Sequence, residues 1–332
     1  MPHPHSPSGR ESMKLLHCLV LFSLHSTAGA SEDGHWCYLS QKCHDQQCKE
    51  PRQWGQLYPE CTSSEQSPIN IVTSKVKYDW NLTPFRFKNH NTNPECKWKV
   101  ENNGHTVIVH LDGSSTIELG GLEGKYKAVQ FHFHWGNDEK GSPSTRISPG
   151  SEHSIDGERY AMELHIVHIK EEFASVADAI KGKGVAVLGF FIEVGKTNEY
   201  YEPFISKLKE IPYPGNKTEM SAVCLDSLIP KAEDLTQFYR YTGSLTTPEC
   251  SENVIWTLFE KPIQLGLEQI QEFWMKLYFG DNKDWWMVDN FRPVQPVGDR
   301  EILKSDSDTL MPPAKASLLI PTAAYLALSL IQ

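Results

Sequence analysis

Read as an extended strand, Gln130-Phe131-His132-Phe133-His134-Trp135 places Gln130, His132 and His134 on one face. Phe131, Phe133 and Trp135 fall on the other, because successive strand side chains alternate. A solvated face would carry charge. This one carries two imidazoles two residues apart, and neutral imidazole nitrogen is the commonest metal ligand. A second run, Met162-Glu163-Leu164-His165-Ile166-Val167-His168, alternates in the same way, with Glu163, His165 and Val167 on one side. If the two strands share a sheet, His165 can face His132 and His134. Three histidines leave a tetrahedral zinc one open position, the catalytic rather than the structural pattern. Glu163 is placed to hold the His165 ring by its other nitrogen.

A His-x-His pair among 14 histidines is not rare in itself. Such a pair also opens cupin metal sites, which require a Glu about four residues on and then a Gly. Glu139 meets the first requirement, but Arg146 stands where the Gly should be, and the cupin reading is disfavoured.

The elements that must position these residues read as mainly β. Short β-like runs at 69–72, 85–87 and 98–100 alternate with turn residues. His105 follows the Asn103-Gly104 turn and precedes a β run at 106–111. Residues 138–149 are Gly, Ser, Pro and charge, a surface loop. A short helix is expected at 173–181, a buried central strand at Val185–Val194, amphipathic helices at 202–211 and 267–277, and another strand at 254–259. The 332 residues, 39% hydrophobic and 11% aromatic, allow a large core, and the net charge of −10 argues against a nucleic-acid partner.

The ends of the chain point to export. Residues 1–12 are polar and read as an upstream extension, with Met13 a plausible start. Met13-Lys14 opens an apolar run to Leu24, and Ala28-Gly29-Ala30 supplies the small residues of a signal-peptide cleavage site, giving a leader over 1–30. Cys18 lies in that leader. The remaining cysteines, Cys37, Cys43, Cys48, Cys61, Cys96, Cys224 and Cys250, lack paired C-x-x-C zinc-finger spacing and read as a disulfide set in an exported chain. Asn81-Leu82-Thr83 and Asn216-Lys217-Thr218 are glycosylation sequons, although Pro84 directly after the first works against its use. After Lys304 the composition turns small and polar, passes Pro312-Pro313, and becomes apolar over 316–331. Residues 305–332 read as a glycosylphosphatidylinositol attachment signal. A transmembrane span would need about 20 apolar residues, and this run is shorter and contains Pro321.

Several blocks resemble the α-class carbonic anhydrases. They are Gln130 to Gly136, Gly150-Ser151-Glu152-His153-Ser154, Ala161 to His168, Ser244-Leu245-Thr246-Thr247-Pro248 and Asn290-Phe291-Arg292-Pro293-Val294-Gln295-Pro296. Ser67-Pro68-Ile69-Asn70-Ile71 and Asn102-Asn103-Gly104-His105 belong to the same set. They occur in the family's order, and the flanking features resemble its membrane-anchored members.

The resemblance implies one catalytic domain over 31–304, built on a large, mostly antiparallel, twisted sheet with short peripheral helices. It implies Zn2+ held by His132, His134 and His165, with Gln130 and the backbone carbonyl of Asn290 as partners of ligand imidazoles. It implies reversible hydration of carbon dioxide to bicarbonate and a proton. His105 would be the proton shuttle. Glu152 would accept the hydroxyl proton of Thr246, so that Thr246 can only accept on its other side. Val167, Val187, Leu245, Thr247, Val254 and Trp256 would line the substrate pocket.

It further implies the disulfides Cys37–Cys48 and Cys61–Cys250. Cys96 and Cys224 could pair if their strands are neighbours, and Cys43 has no assigned partner. Ser305 is the anchored residue implied, with Ser307 a rival. The protein would then reside on the outer face of the plasma membrane, where a bicarbonate transporter is a conceivable neighbour. The family also holds non-catalytic surface-binding members that have lost zinc ligands. Here all three ligands, Glu152, Thr246 and His105 are present.

Overall fold

The computed structural model describes residues 35–41, 48–88, 96–138, 147–281, 283 and 285–305. The leader, Met13, Cys43, Ser307 and the apolar tail lie outside these residues, and the 138–149 loop does so in part.

Fourteen strands and three short α-helices make up the described chain. The first strands are β1 (Asn70–Ile71), β2 (Lys77–Tyr78), β3 (Phe85–Lys88), β4 (Lys97–Asn102), β5 (Val107–His110) and β6 (Thr116–Leu119). The central ones are β7 (Tyr126–Trp135), β8 (Ser154–Ile155), β9 (Met162–Lys170) and β10 (Val185–Val194). The last are β11 (Lys217–Ser221), β12 (Phe238–Ser244), β13 (Glu252–Leu265) and β14 (Leu303–Lys304). The helices are α1 (Val176–Lys181), α2 (Glu202–Ile205) and α3 (Leu267–Lys276). Twelve strands form one sheet in the order β11-β4-β5-β7-β9-β10-β13-β12-β14-β2, with β6 joining β3 to β7. Most pairs are antiparallel; β10–β13 and β14–β2 are parallel. The fold is therefore mainly β around a large mixed sheet, as expected. Among the described residues no helix is long and apolar enough to cross a membrane.

The aromatic face of β7 drives the packing on one side of the sheet. Phe131 stands edge-on to Trp98, Phe133 stacks on Phe204 at 5.1 Å between ring centroids, and Trp135 meets Phe273 at 5.2 Å. All three β7 rings are buried. Burying a large side chain of this kind stabilises by about 1.5–3 kcal/mol. A second apolar cluster holds Val167, Val187, Val254 and Trp256, with Leu245 packed against it.

One expected element differs. The run 202–211 is not a single helix. Pro203 fixes the first turn of α2, which ends at Ile205, and a 3-10 turn covers Leu208–Glu210. Lys207 N donates to Phe204 O three residues back, which tightens the path as Leu208 and Ile211 turn into the core.

β10 carries one glycine, and its place is constrained. Gly189 is the cross-strand partner of His165. A Cβ there would come 2.5 Å from Leu258 Cδ1 and 3.5 Å from Glu163 Oε1. Gly189→Ala should therefore overpack this point and destabilise the protein by about 1–3 kcal/mol, read as a lower denaturant midpoint with an unchanged slope.

Candidate metal centre

Strands β7 and β9 are antiparallel neighbours, and their register sets His132 opposite His165 and His134 opposite Glu163. A register shift between Ala128 and Gln130 precedes the site. From Gln130 onward the alternation is regular and Gln130, His132 and His134 share a face. One ligating atom from each of His132, His134 and His165 can be chosen so that all lie within 4.8 Å of one another.

The outer nitrogen of each ring is tied to a different acceptor. His132 Nδ1 donates to Gln130 Oε1 at 3.0 Å, His134 Nδ1 to the Asn290 carbonyl at 2.8 Å, and His165 Nε2 to Glu163 Oε1 at 2.6 Å. These bonds fix the tautomers, so the inward nitrogens are His132 Nε2, His134 Nε2 and His165 Nδ1. His132 Nε2 and His165 Nδ1 lie 3.3 Å apart, and His134 Nε2 is buried with no hydrogen-bond partner. Burial, reinforced by the neighbouring histidines, holds the His132 pKa well below 6.5, and burial lowers that of His134 as well. Rings whose outer nitrogens donate, leaving their inner nitrogens to face one another, fit a divalent metal that accepts nitrogen ligands.

A second cluster, His153, Glu163 and His165, has a different character. Glu163 Oε1 accepts from both His153 Nδ1 (2.7 Å) and His165 Nε2, and Oε2 accepts from His153 N at 2.8 Å. Burial alone would raise the Glu163 carboxyl, but these two histidines hold it well below the usual carboxylate range. His153 Nε2 must then accept from Tyr241 OH (2.7 Å), and Tyr241 in turn bonds Ser67 Oγ at 2.8 Å. Because the donors and acceptors are all committed, this is a hydrogen-bonded support for His165 rather than a second cation site.

Glu152 is fully buried. Its Oε1 accepts from Arg292 N at 2.8 Å, and its Oε2 has no hydrogen-bond partner, standing 3.4 Å from His134 Nε2. The expected hydrogen bond from Thr246 is not formed in this arrangement, because Oε2 turns toward the imidazoles. Thr246 is buried and Thr247 half-buried on the segment after β12. Trp256 Nε1 donates to Ser244 O at 2.9 Å, Ser67 N donates to Ser244 Oγ at 2.9 Å, and the Cys61–Cys250 disulfide closes the far side of that segment. Register aligns Val167, Val187 and Trp256 across β9, β10 and β13, and the Trp256 ring lies 4.8 Å from the His165 ring. Trp256 thus stands beside His165, in register with Val187 and Val167.

His105 is half-buried and stacked on Trp36, with ring centroids 3.7 Å apart and planes at 15°. Burial, with a smaller contribution from His35, lowers its pKa to about 4. Its carbonyl accepts from Asn290 Nδ2 at 3.0 Å, so one residue serves both His134 and the His105 turn.

Sequence reading missed Trp36 and Tyr38, which lie in a Cys-rich segment without periodicity. Tyr38 OH is buried and has no hydrogen-bond partner; burial, then the Glu152 charge, raises its pKa well above 10. It missed the role of Tyr241 too, which only the register of β12 reveals.

Cys37–Cys48 closes the N-terminal loop that directly follows Trp36. β4 and β11 are neighbours, Ala222 N donates to Cys96 O, and so the strand adjacency asked of Cys96 and Cys224 is met. Asn81 is exposed, while Asn216 is half-buried and accepts from Tyr213 N through Oδ1. Ser305 is buried at the end of β14. Its hydroxyl accepts from Phe238 N and donates to Thr236 O, both at 2.8 Å.

Comparison with known proteins gives a consistent result. The eukaryotic-type carbonic anhydrase profile matches residues 49–306. Rabbit (Oryctolagus cuniculus) carbonic anhydrase 4 is 43% identical over 326 residues, covering 96% of this chain and 100% of the relative. Rat (Rattus norvegicus) carbonic anhydrase 4 is 40% identical with the same coverages. Human (Homo sapiens) carbonic anhydrase 12 is 35% identical over 84% of this chain and 74% of the relative.

The lowered pKa of His105 has a thermodynamic consequence. Between pH 6.5 and about 4 the unfolded chain takes up a proton that the stacked ring refuses, so stability falls as pH drops through that window. His105→Ala should make the fall shallower by at most about 1.4 kcal/mol per pH unit, measured as the difference between denaturation curves of the two proteins across the window.

Proposed function

Because the chain belongs to the eukaryotic-type carbonic anhydrase family, whose reaction is the hydration of carbon dioxide, we propose that it does this as a zinc enzyme on the outer cell surface, held by a glycosylphosphatidylinositol anchor. The observation that carries the zinc reading is the set of three imidazoles with outer nitrogens hydrogen-bonded and inner nitrogens converging. When bound, zinc would supply the charge that lowers the pKa of a water to about 7, as it does in carbonic anhydrases. No thiolate or carboxylate among His132, His134 and His165 would offset that charge.

The chain's own residues would do the rest. Gln130, Glu163 and Asn290 orient the three rings. Val167, Val187, Leu245, Val254 and Trp256 present carbon dioxide with an apolar surface, and Thr247 sits at its edge. With Glu152 Oε1 tied to Arg292 N, Oε2 must turn from the imidazoles toward Thr246 to accept the hydrogen bond of its hydroxyl. Thr246 can then only accept on its other side, which selects a deprotonated reactant. His105 carries the released proton outward. A ring whose pKa is about 4 holds protons too weakly at neutral pH, so His105 must leave Trp36 and be solvated, where its pKa returns toward about 6.5, to do so.

Export is supported by the leader-like 1–30 segment, the Cys37–Cys48 and Cys61–Cys250 disulfides and the sequon at Asn216. A Cys96–Cys224 bond would be a third link of the same kind. The anchor is supported by the composition of 305–332, with Ser305 as the attachment residue, and a bicarbonate transporter would be a fitting neighbour for a surface enzyme.

His165→Ala should abolish zinc binding at one per chain and drop hydration to the uncatalysed background, while the far-ultraviolet spectrum and cooperative unfolding are kept. A variant that still binds zinc stoichiometrically and turns over would sink the ligand assignment. Phosphatidylinositol-specific phospholipase should release the activity from intact cells; activity that stays on the cells after complete digestion would exclude the anchor.

A further inference from the structure

We infer that the β2 edge of the sheet is a lipid-facing surface, seated in the headgroup layer of a phosphatidylcholine-rich outer leaflet. This deepens the anchor reading and rests on it. β2 is the outermost strand on its side of the sheet, and it pairs in parallel with β14, Lys304 standing opposite Tyr78. Asp79 N donates to Lys304 O at 3.0 Å, so the turn from Asp79 to Leu82 abuts the point where the chain passes Ser305 toward its apolar tail.

Two large aromatics on this short stretch are left in solvent, Tyr78 at 62% and Trp80 at 66% exposure, the latter among the most exposed of the described large apolar side chains. Trp and Tyr are the residues that settle at membrane–water interfaces, with an apolar body and a polar tip.

The charges beside them are balanced rather than basic. Lys77 pairs with Glu301, Lys304 pairs with Glu260 at 2.6 Å, and the Asp79 carboxylate accepts from Asn81 N and Nδ2. Lys75 is exposed beside them. A cavity of about 310 Å³ lined by Val72, Lys75, Lys77, Arg300, Glu301 and Ile302 opens on the same edge. Arg300 is already committed to the carbonyls of Val297, Thr242, Gln66 and Pro296. With Lys77 held by Glu301, that leaves Lys75 for a headgroup phosphate, and the aromatic faces for a quaternary ammonium. A near-neutral mixture of this kind matches a zwitterionic headgroup. It also assigns the Asn81 sequon: a glycan next to Trp80 would stand between the ring and the bilayer, so Asn81 stays bare.

The test uses the full anchored chain reconstituted in phosphatidylcholine vesicles containing lipid brominated high on the acyl chain. The wild-type protein should lose the emission of one of its nine tryptophans, and Trp80→Ala should lose none while keeping wild-type hydration. Equal quenching of the two proteins, with phospholipase release intact, overturns the inference and leaves the anchor standing. Failure of phospholipase to release the protein overturns the anchor and the inference with it. Shielding of Trp80 from acrylamide that grows with protein density, without bromolipid quenching, assigns the face to a second copy of this chain instead. Glycopeptide mass spectrometry that finds sugar on Asn81 also overturns it.

Discussion

A metal ligand must offer a lone pair in one direction, and an imidazole offers it only if its proton is held in the other. Three such rings stand in this site, and each outer N–H meets a different kind of acceptor: an amide side chain, a backbone carbonyl and an ionised carboxylate. Much of the surrounding structure follows from that requirement. The β7–β9 register brings the rings together, Gly189 leaves room for the Leu258 side chain behind His165, and His153, Tyr241 and Ser67 supply the donors that keep Glu163 ionised and aimed.

The two faces of β7 divide the labour of the domain. Phe131, Phe133 and Trp135 enter the aromatic core, which makes the strand immobile, and the opposite face inherits that rigidity for the histidines. A slip of one residue in register would exchange the faces, taking the aromatic rings out of their core and setting the histidines among Phe204 and Phe273. The penalty for such a slip is large, so the core specifies the site as firmly as the site's own hydrogen bonds do.

How much was legible in the sequence follows from the same physics. Period-two alternation fixes which side chains share a face, so His132, His134, His165 and Glu163 could be grouped from spacing, and β10 could be read from an unbroken apolar run. The 202–211 segment could not be read as it is, because Pro203 and the burial of Leu208 and Ile211 override its helical periodicity. Family resemblance carried Asn290, since a backbone carbonyl has no residue type to betray it. Neither route gave the stack of Trp36 on His105 or the turn of Glu152 Oε2 toward the imidazoles. Both depend on contacts between segments far apart in the chain, and neither leaves a local pattern.

Asn290 and Arg292 come from the last stretch of the folded domain, yet they orient His134 and Glu152, which were laid down some 140–156 residues earlier. A chain still emerging from the ribosome would have all three histidines in hand and lack the carbonyl that sets the tautomer of the second one. The His134 tautomer and the aim of Glu152 are thereby set only when the domain's last stretch has closed against its first half.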